Sequence, residues 1–283
     1  MAVTQLSDLN GLYNTIYERA LFVAREMNLM AALVDQRSAS GWMNRVVPIR
    51  PQISAVSVAE TEDFNSPTTF GKSTKATLTP GEIIAQVVLT DRDMETDPDS
   101  AVNDATMELG SAIATKIDVD LLGLFTSLTT DKGTGAGNAA TIATVGAAVG
   151  TLTAAHALQY GPIVGVLHPF QYHDLWVELG QPAATYSNLQ ELTTQALRDY
   201  FVGDLLGVQL FRSANITVDG SDDAIGAFFN RQCMMLDTRR APRFEPERDA
   251  SARAYELNIT AGYAVGIVRQ EFGVKYTSDA AAI

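Results

Sequence analysis

Apolar residues recur along this chain with different spacings, and each spacing predicts an element. Between residues 99 and 128, Val102, Ala105, Leu109, Ile113, Ile117, Leu121, Leu124 and Leu128 fall at three- and four-residue steps, with Asp104, Glu108, Ser111, Thr115 and Asp118 on the opposite side. That pattern predicts one continuous helix of about 45 Å. Its start carries Asp97-Pro98-Asp99-Ser100, with proline in an early position and acids at the positive end of the dipole. A second helical period, Leu12, Ile16, Ala20, Val23, Met27, Met30 and Val34, predicts a helix over 12–34. The opposite pattern closes the chain: Tyr255, Leu257, Ile259, Ala261, Tyr263, Val265 and Ile267 alternate, which predicts strands over 254–277, with Gly262, Gly266 and Gly273 at bends or bulges.

Residues 53–63 and 73–89 are rich in Thr, Val and Ile and read as two extended strands, joined through the turn-like Phe64–Lys72. Few large apolar residues line 57–79, so this hairpin cannot build its own core and should project and pack on something else. The middle of the chain alternates types: an Ala-rich helix at about 143–158, a buried strand at 161–168, a helix from Pro169 to about Leu179 and a helix over 188–201. Strands at about 205–212, 224–229 and 232–237 follow. The whole reads as α+β, with an α/β module inside it.

Composition narrows the classes. The 283 residues are 46% hydrophobic, which excludes a disordered chain and allows one large domain or two to three small ones. The net charge of −13 argues against a protein that grips nucleic acid by neutralising phosphates. The charge is uneven: residues 1–50 and 239–283 each sum to +1, leaving −15 on 51–238. Segments so different should face different surroundings. The charged fraction of 19% is below the roughly 25% of ordinary soluble domains, which fits a generous core or a surface covered by partners. The single cysteine, Cys233, stands in the apolar run Cys233-Met234-Met235-Leu236 and reads as buried and inert. The chain carries no signal-peptide pattern and no apolar run of membrane-spanning length, so a soluble protein with no membrane partner is expected.

Motifs that suggest chemistry each lack a required part. Gly71-Lys72-Ser73 resembles the end of a phosphate-binding loop and raises a nucleotide-binding enzyme as an alternative. Ser66 stands where the first glycine should be, and extended sequence follows where a helix should open. Asp91, Asp93, Glu95, Asp97 and Asp99 alternate, but Thr96 and Val102 occupy the glycine and glutamate positions of a calcium loop. These acids read as a solvated strand end leading into a capped helix. His156, His168 and His173 lack metal-ligand spacing. Arg239, Arg240, Arg243, Arg248 and Arg253 are interleaved with Glu245, Glu247 and Asp249, which suits salt bridges to neighbouring subunits better than DNA binding.

The order of elements carries a resemblance over nearly the whole chain. An N-terminal helix, a projecting hairpin, an acidic turn, a very long helix, an α/β module and closing strands resemble the major capsid protein of tailed bacteriophages, with its HK97-type fold. Thr115–Gly123 resembles the end of that family's spine helix, and Val164–Leu175 its axial-domain strand and helix. Leu206–Ser213 and Ala261–Val274 resemble later segments. The resemblance implies an N-arm over 1–50, an E-loop over 51–90, a peripheral domain over 91–140 and 236–283 with the spine helix at about 99–128, and an axial domain over 141–235. It implies hexamers and pentamers of this chain in an icosahedral head around double-stranded DNA, with a portal and a scaffold or decoration proteins as further partners. It implies a virion protein assembled in the host cytoplasm, with no catalytic residue, cofactor or metal. Candidate intersubunit contacts are Phe64, Phe70, Lys72 and Lys75 at the hairpin tip, and Arg239, Arg240, Arg243 and Arg248. An encapsulin-type compartment shell shares the fold and is the alternative. Lysine–asparagine cross-linking, known in some members, is not expected at Lys72 or Lys75.

Overall fold

The computed structural model describes residues 29–50, 53–61, 63, 69–96, 98–180 and 204–281. The expected helices over most of 12–34 and over 188–201, and the tip residue Phe64, lie outside the described residues. The chain enters through a short helix, α1 (Leu29–Leu33), followed by β1 (Asp35–Ser38), β2 (Arg45–Ile49), β3 (Ser73–Leu78) and β4 (Gly81–Thr90). Two helices follow, α2 (Asp91–Thr96) and α3 (Pro98–Gly123), the latter running into a 3-10 turn at Leu124–Ser127. Next come α4 (Ile142–Ala154), β5 (Ile163–Leu167), α5 (Pro169–Gly180), β6 (Asp204–Leu205) and β7 (Val208–Arg212). The chain closes with β8 (Asp223–Asn230), β9 (Met234–Asp249), β10 (Ala254–Ile267) and β11 (Gly273–Asp279).

Three sheets organise these strands: β1-β9-β10-β4, β11-β8-β5-β7-β6, and the two-stranded β2-β3. The helix α3 joins the two larger ones. Its N-terminal half lays Ala105, Leu109 and Ile113 on Leu257, Ile259 and Ala261 of the four-stranded sheet. Its C-terminal half carries Leu121 and Leu122 into the main core with Phe125, Phe229 and Tyr276. The buried stripe read from the sequence is therefore real, and at 26 residues the helix is about 39 Å long. One position departs from it. Asp118, expected on the polar side, is buried, because its carboxylate accepts from the Met30 amide at 2.9 Å and from Asn215 Nδ2 at 3.0 Å. A buried acid is tolerated when both oxygens are satisfied, and here it ties α1 to the spine.

The hairpin differs from its expectation. Its partners are β2 and β3, in the register Arg45↔Leu78 to Ile49↔Ser73, while residues 53–59 form no strand. The run Arg-Val-Val-Pro-Ile is a strand because Pro48, which has no N–H to donate, sits at a register shift. The stretch 73–89 is two strands, since Thr79 and Pro80 break it. The second of these, β4, pairs with β10 from Gly81↔Tyr263 to Thr90↔Ala254 and so belongs to the four-stranded sheet. The acidic run begins as the short helix α2 and not as a strand end. The last strand, β11, pairs with β8 and thus crosses to the five-stranded sheet, away from β9 and β10.

In the five-stranded sheet β5 is central and buried at every position. Gly165 there faces Phe228 and Leu210, where a Cβ would meet ring and methyl carbons at 2.6 and 2.7 Å, so only glycine fits. Tyr276 is fully buried, and its hydroxyl bonds Thr144 Oγ1 at 2.7 Å and accepts from the Thr141 amide at 3.1 Å, fastening β11 to the start of α4. Cys233 is buried among Leu128 and Gly273, and burial pushes its thiol up to about 12. A thiolate is the reactive form. The native protein should therefore leave Cys233 unlabelled by iodoacetamide at pH 8, with full labelling after denaturation; mass spectrometry of the two samples checks this.

Candidate assembly surfaces

The hairpin is the most exposed apolar feature of the described chain. Every described residue between 53 and 72 is exposed, including Ile53 at 56%, Val56 at 65% and Val58 at 47%. Phe70 is also half exposed, with the Arg50 guanidinium 4.8 Å from its ring centroid. Lys72 is exposed, and Lys75 lies on the β3 backbone. Gly71-Lys72-Ser73 opens a strand and not a helix, so the helix N-terminus that would cradle a phosphate is not built there.

The four candidate arginines are all engaged within the subunit. Arg240 meets Glu82 at 2.7 Å and lies over Trp42, whose ring in turn packs on Gly262, where a Cβ would come within 2.6 Å of it. Arg243 pairs with Glu245 at 2.7 Å on the same face of β9. Arg248 grips Asp91 with both terminal nitrogens, one at 2.7 Å, and stacks on Tyr255. That contact holds the Asp91 carboxyl below the usual carboxylate range and fixes α2 against the end of β9. Arg239 is not a surface group at all. Its side chain is 6% exposed and meets Asp237, which is fully buried, at 2.7 Å.

Asp237 was not singled out by the sequence, and it holds a second cation. Arg45, at the start of β2, approaches its other oxygen at 2.8 Å. Each guanidinium also donates to a backbone carbonyl just upstream of the hairpin, Arg45 to Ser38 at the end of β1 at 3.4 Å and Arg239 to Gly41 in the following connector at 3.2 Å. The signal was present in the spacing: Asp237 and Arg239 are two apart on a strand and must share a face. Its meaning depended on Arg45, nearly two hundred positions away.

The outward face of the four-stranded sheet adds a second apolar surface. On β4, Ile84 at 65% and Val88 at 51% exposure alternate with the half-buried Ile83, Ala85, Val87 and Leu89 that face α3. Trp42 extends this surface beside Gly262. In the five-stranded sheet's region, Gly146, Val149, Gly150, Thr153, Ala154 and Leu206 line a shallow apolar opening of about 560 Å³. Among the described residues there is no cluster of His, Cys, Asp and Glu fit to hold a metal ion, and no helix long and apolar enough to cross a membrane.

These features describe a subunit whose long helix bridges two sheets and whose described residues between 53 and 72 are all exposed. The family model described as phage capsid protein matches residues 75–276. The chain belongs to the phage capsid protein family. That family is one of structural shell proteins of phage heads. Solved structures agree on the fold, an HK97-like α+β capsid fold. A solved structure from Mycobacterium phage Che8 is similar with a TM-score of 0.67 at 17% identity, over 88% of this chain and 90% of that one. The chain from the head of Helicobacter pylori bacteriophage KHP40 is similar with a TM-score of 0.64 at 11% identity, over 90% and 92%. The mature capsid of bacteriophage PhiM1 is similar with a TM-score of 0.65 at 12% identity, over 89% and 87%. No curated protein matches the sequence by direct comparison. The family match does not favour the compartment-shell alternative.

Proposed function

We propose that this phage capsid protein assembles as hexamers and pentamers into the icosahedral head of a tailed phage and encloses its double-stranded DNA. The observation that carries the reading is the hairpin: it exposes Ile53, Val56, Val58 and Phe70 and has no core of its own. Isolated two-stranded hairpins are marginal in water, so a neighbouring subunit is the economical cover. The observed ladders support an E-loop from Arg45 to Leu78, with β4 counted in the peripheral domain and β11 in the axial one. The tip residues Phe64, Phe70, Lys72 and Lys75 remain the first intersubunit candidates. Arg240, Arg243 and Arg248 would have to share or exchange their present acids to serve, whereas the buried Arg239 acts inside the subunit.

The acidic balance supports the same reading. A wall at −13 per subunit repels phosphates at short range, which holds DNA without fixing it. Portal, scaffold and decoration proteins are further proposed partners, and the virion the proposed location. Negative-stain microscopy of the purified full-length protein tests the reading. Closed shells of uniform diameter are the expected result, and a monodisperse monomer at high protein concentration would overturn it.

A further inference from the structure

Two attachments hold the hairpin to the body of the subunit. One is apolar: Leu78 packs with Met235, Ala264 and Val268, with Val47 and Ala76 alongside. Apolar burial is non-directional, so it keeps the root in contact while tolerating rotation. The other attachment is ionic. Asp237 is fully buried on β9 and takes Arg45 of the hairpin on one oxygen and Arg239 of the body on the other. Both Asp237 oxygens are buried and make no aligned hydrogen bond among the described residues, so the hold is Coulombic, and in a dry site ion pairs at 2.8 and 2.7 Å still fix where the two guanidiniums sit. Through Ser38 at the end of β1 and Gly41 in the connector, the same two guanidiniums also hold the chain that leads into the hairpin. Further out, every described residue from 53 to 72 is exposed, and the hairpin ladder pairs with neither larger sheet.

We propose that the Arg45–Asp237–Arg239 cluster is a latch that fixes the angle at which the hairpin leaves the subunit. Its purpose rests on the assembly role proposed above: a hairpin already aimed pays less ordering entropy when it meets a neighbour. Asp237 is thus a positioning residue for the E-loop. Arg45→Gln is the diagnostic variant, because it releases the hairpin side and leaves the Asp237–Arg239 pair in place. Hydrogen exchange is followed in the full-length protein kept below its assembly concentration. Amides of β2 and β3 should exchange about tenfold faster or more in the variant, while β5 and β8 keep wild-type rates. Arg45→Lys, which keeps a cation at the site, should recover part of the protection. Unchanged exchange in β2 and β3 overturns the latch. Equal acceleration in all four strands also overturns it, because the cluster then serves only general stability. Whether wild-type protein forms shells is read separately, so failure of the functional reading is distinguishable from failure of the latch.

Discussion

Asp237→Ala lowers the stability of the subunit by about 3–5 kcal/mol, the range for removing one partner of a buried ion pair. The size follows from what is left behind. Asp237 is fully buried between Arg45 and Arg239, whose side chains are 27% and 6% exposed. Removing the carboxylate leaves two guanidiniums facing one another, one of them almost without water. The Nε atoms of both arginines and both Asp237 oxygens are buried without an aligned hydrogen bond among the described residues, so the cluster is held by charge alone and no spare acceptor compensates its loss. At roughly 2 °C per kcal/mol for a chain of this size, the melting temperature falls by about 6–10 °C. Differential scanning calorimetry of unassembled protein measures it. A fall under about 2 °C, little more than a surface substitution gives, would show that the cluster does not carry this strain. Arg45→Gln should cost far less, since Asp237 keeps Arg239.

How far the sequence anticipated this subunit depends on the range of each interaction. The α3 stripe was legible because a helix writes its buried face into neighbouring residues: Leu109, Ile113, Leu121 and Leu128 are buried where their spacing put them. The alternation of Leu257, Ile259 and Ala261 on β10 was legible for the same reason. The hairpin was displaced because pairing is non-local. Residues 53–59 have strand-like composition, yet the ladder formed at Arg45–Ile49, where a proline sits at an irregularity. Asp118 misled because a helical wheel sees a charge and not its partners, Met30 and Asn215. The arginines 239–248 were expected to form salt bridges to neighbouring subunits; within the subunit they meet Asp237, Glu82, Glu245 and Asp91. Charge interleaving announces salt bridges without saying who supplies the other half. The belonging of β11 to the five-stranded sheet follows from Tyr276 and Phe228 packing edge to face, a contact no local pattern encodes.

Converting Ile53, Val56, Val58 and Phe70 together to serine abolishes shell formation while leaving the subunit folded. The fold is spared because all four side chains are exposed in the subunit and belong to none of its apolar clusters. Surface changes of this kind stay within about 0.5 kcal/mol each. Assembly is lost because each side chain covered by a neighbour contributes on the order of 1.5–3 kcal/mol when fully buried. Even one third of that, summed over four positions, gives roughly 2–4 kcal/mol for every contact. Each 1.4 kcal/mol is a factor of ten in association, and every subunit makes the contact, so the assembly threshold rises by at least about tenfold to a thousandfold. Light scattering across a concentration series reads that threshold, and the melting temperature of the unassembled protein reads the fold. The outcome that overturns the argument is a variant with wild-type melting that still closes shells at the wild-type threshold. The outward sheet face at Ile84 and Val88 would then be the next surface to test, and Ile84→Ser with Val88→Ser would reproduce the loss if that face is the covered one.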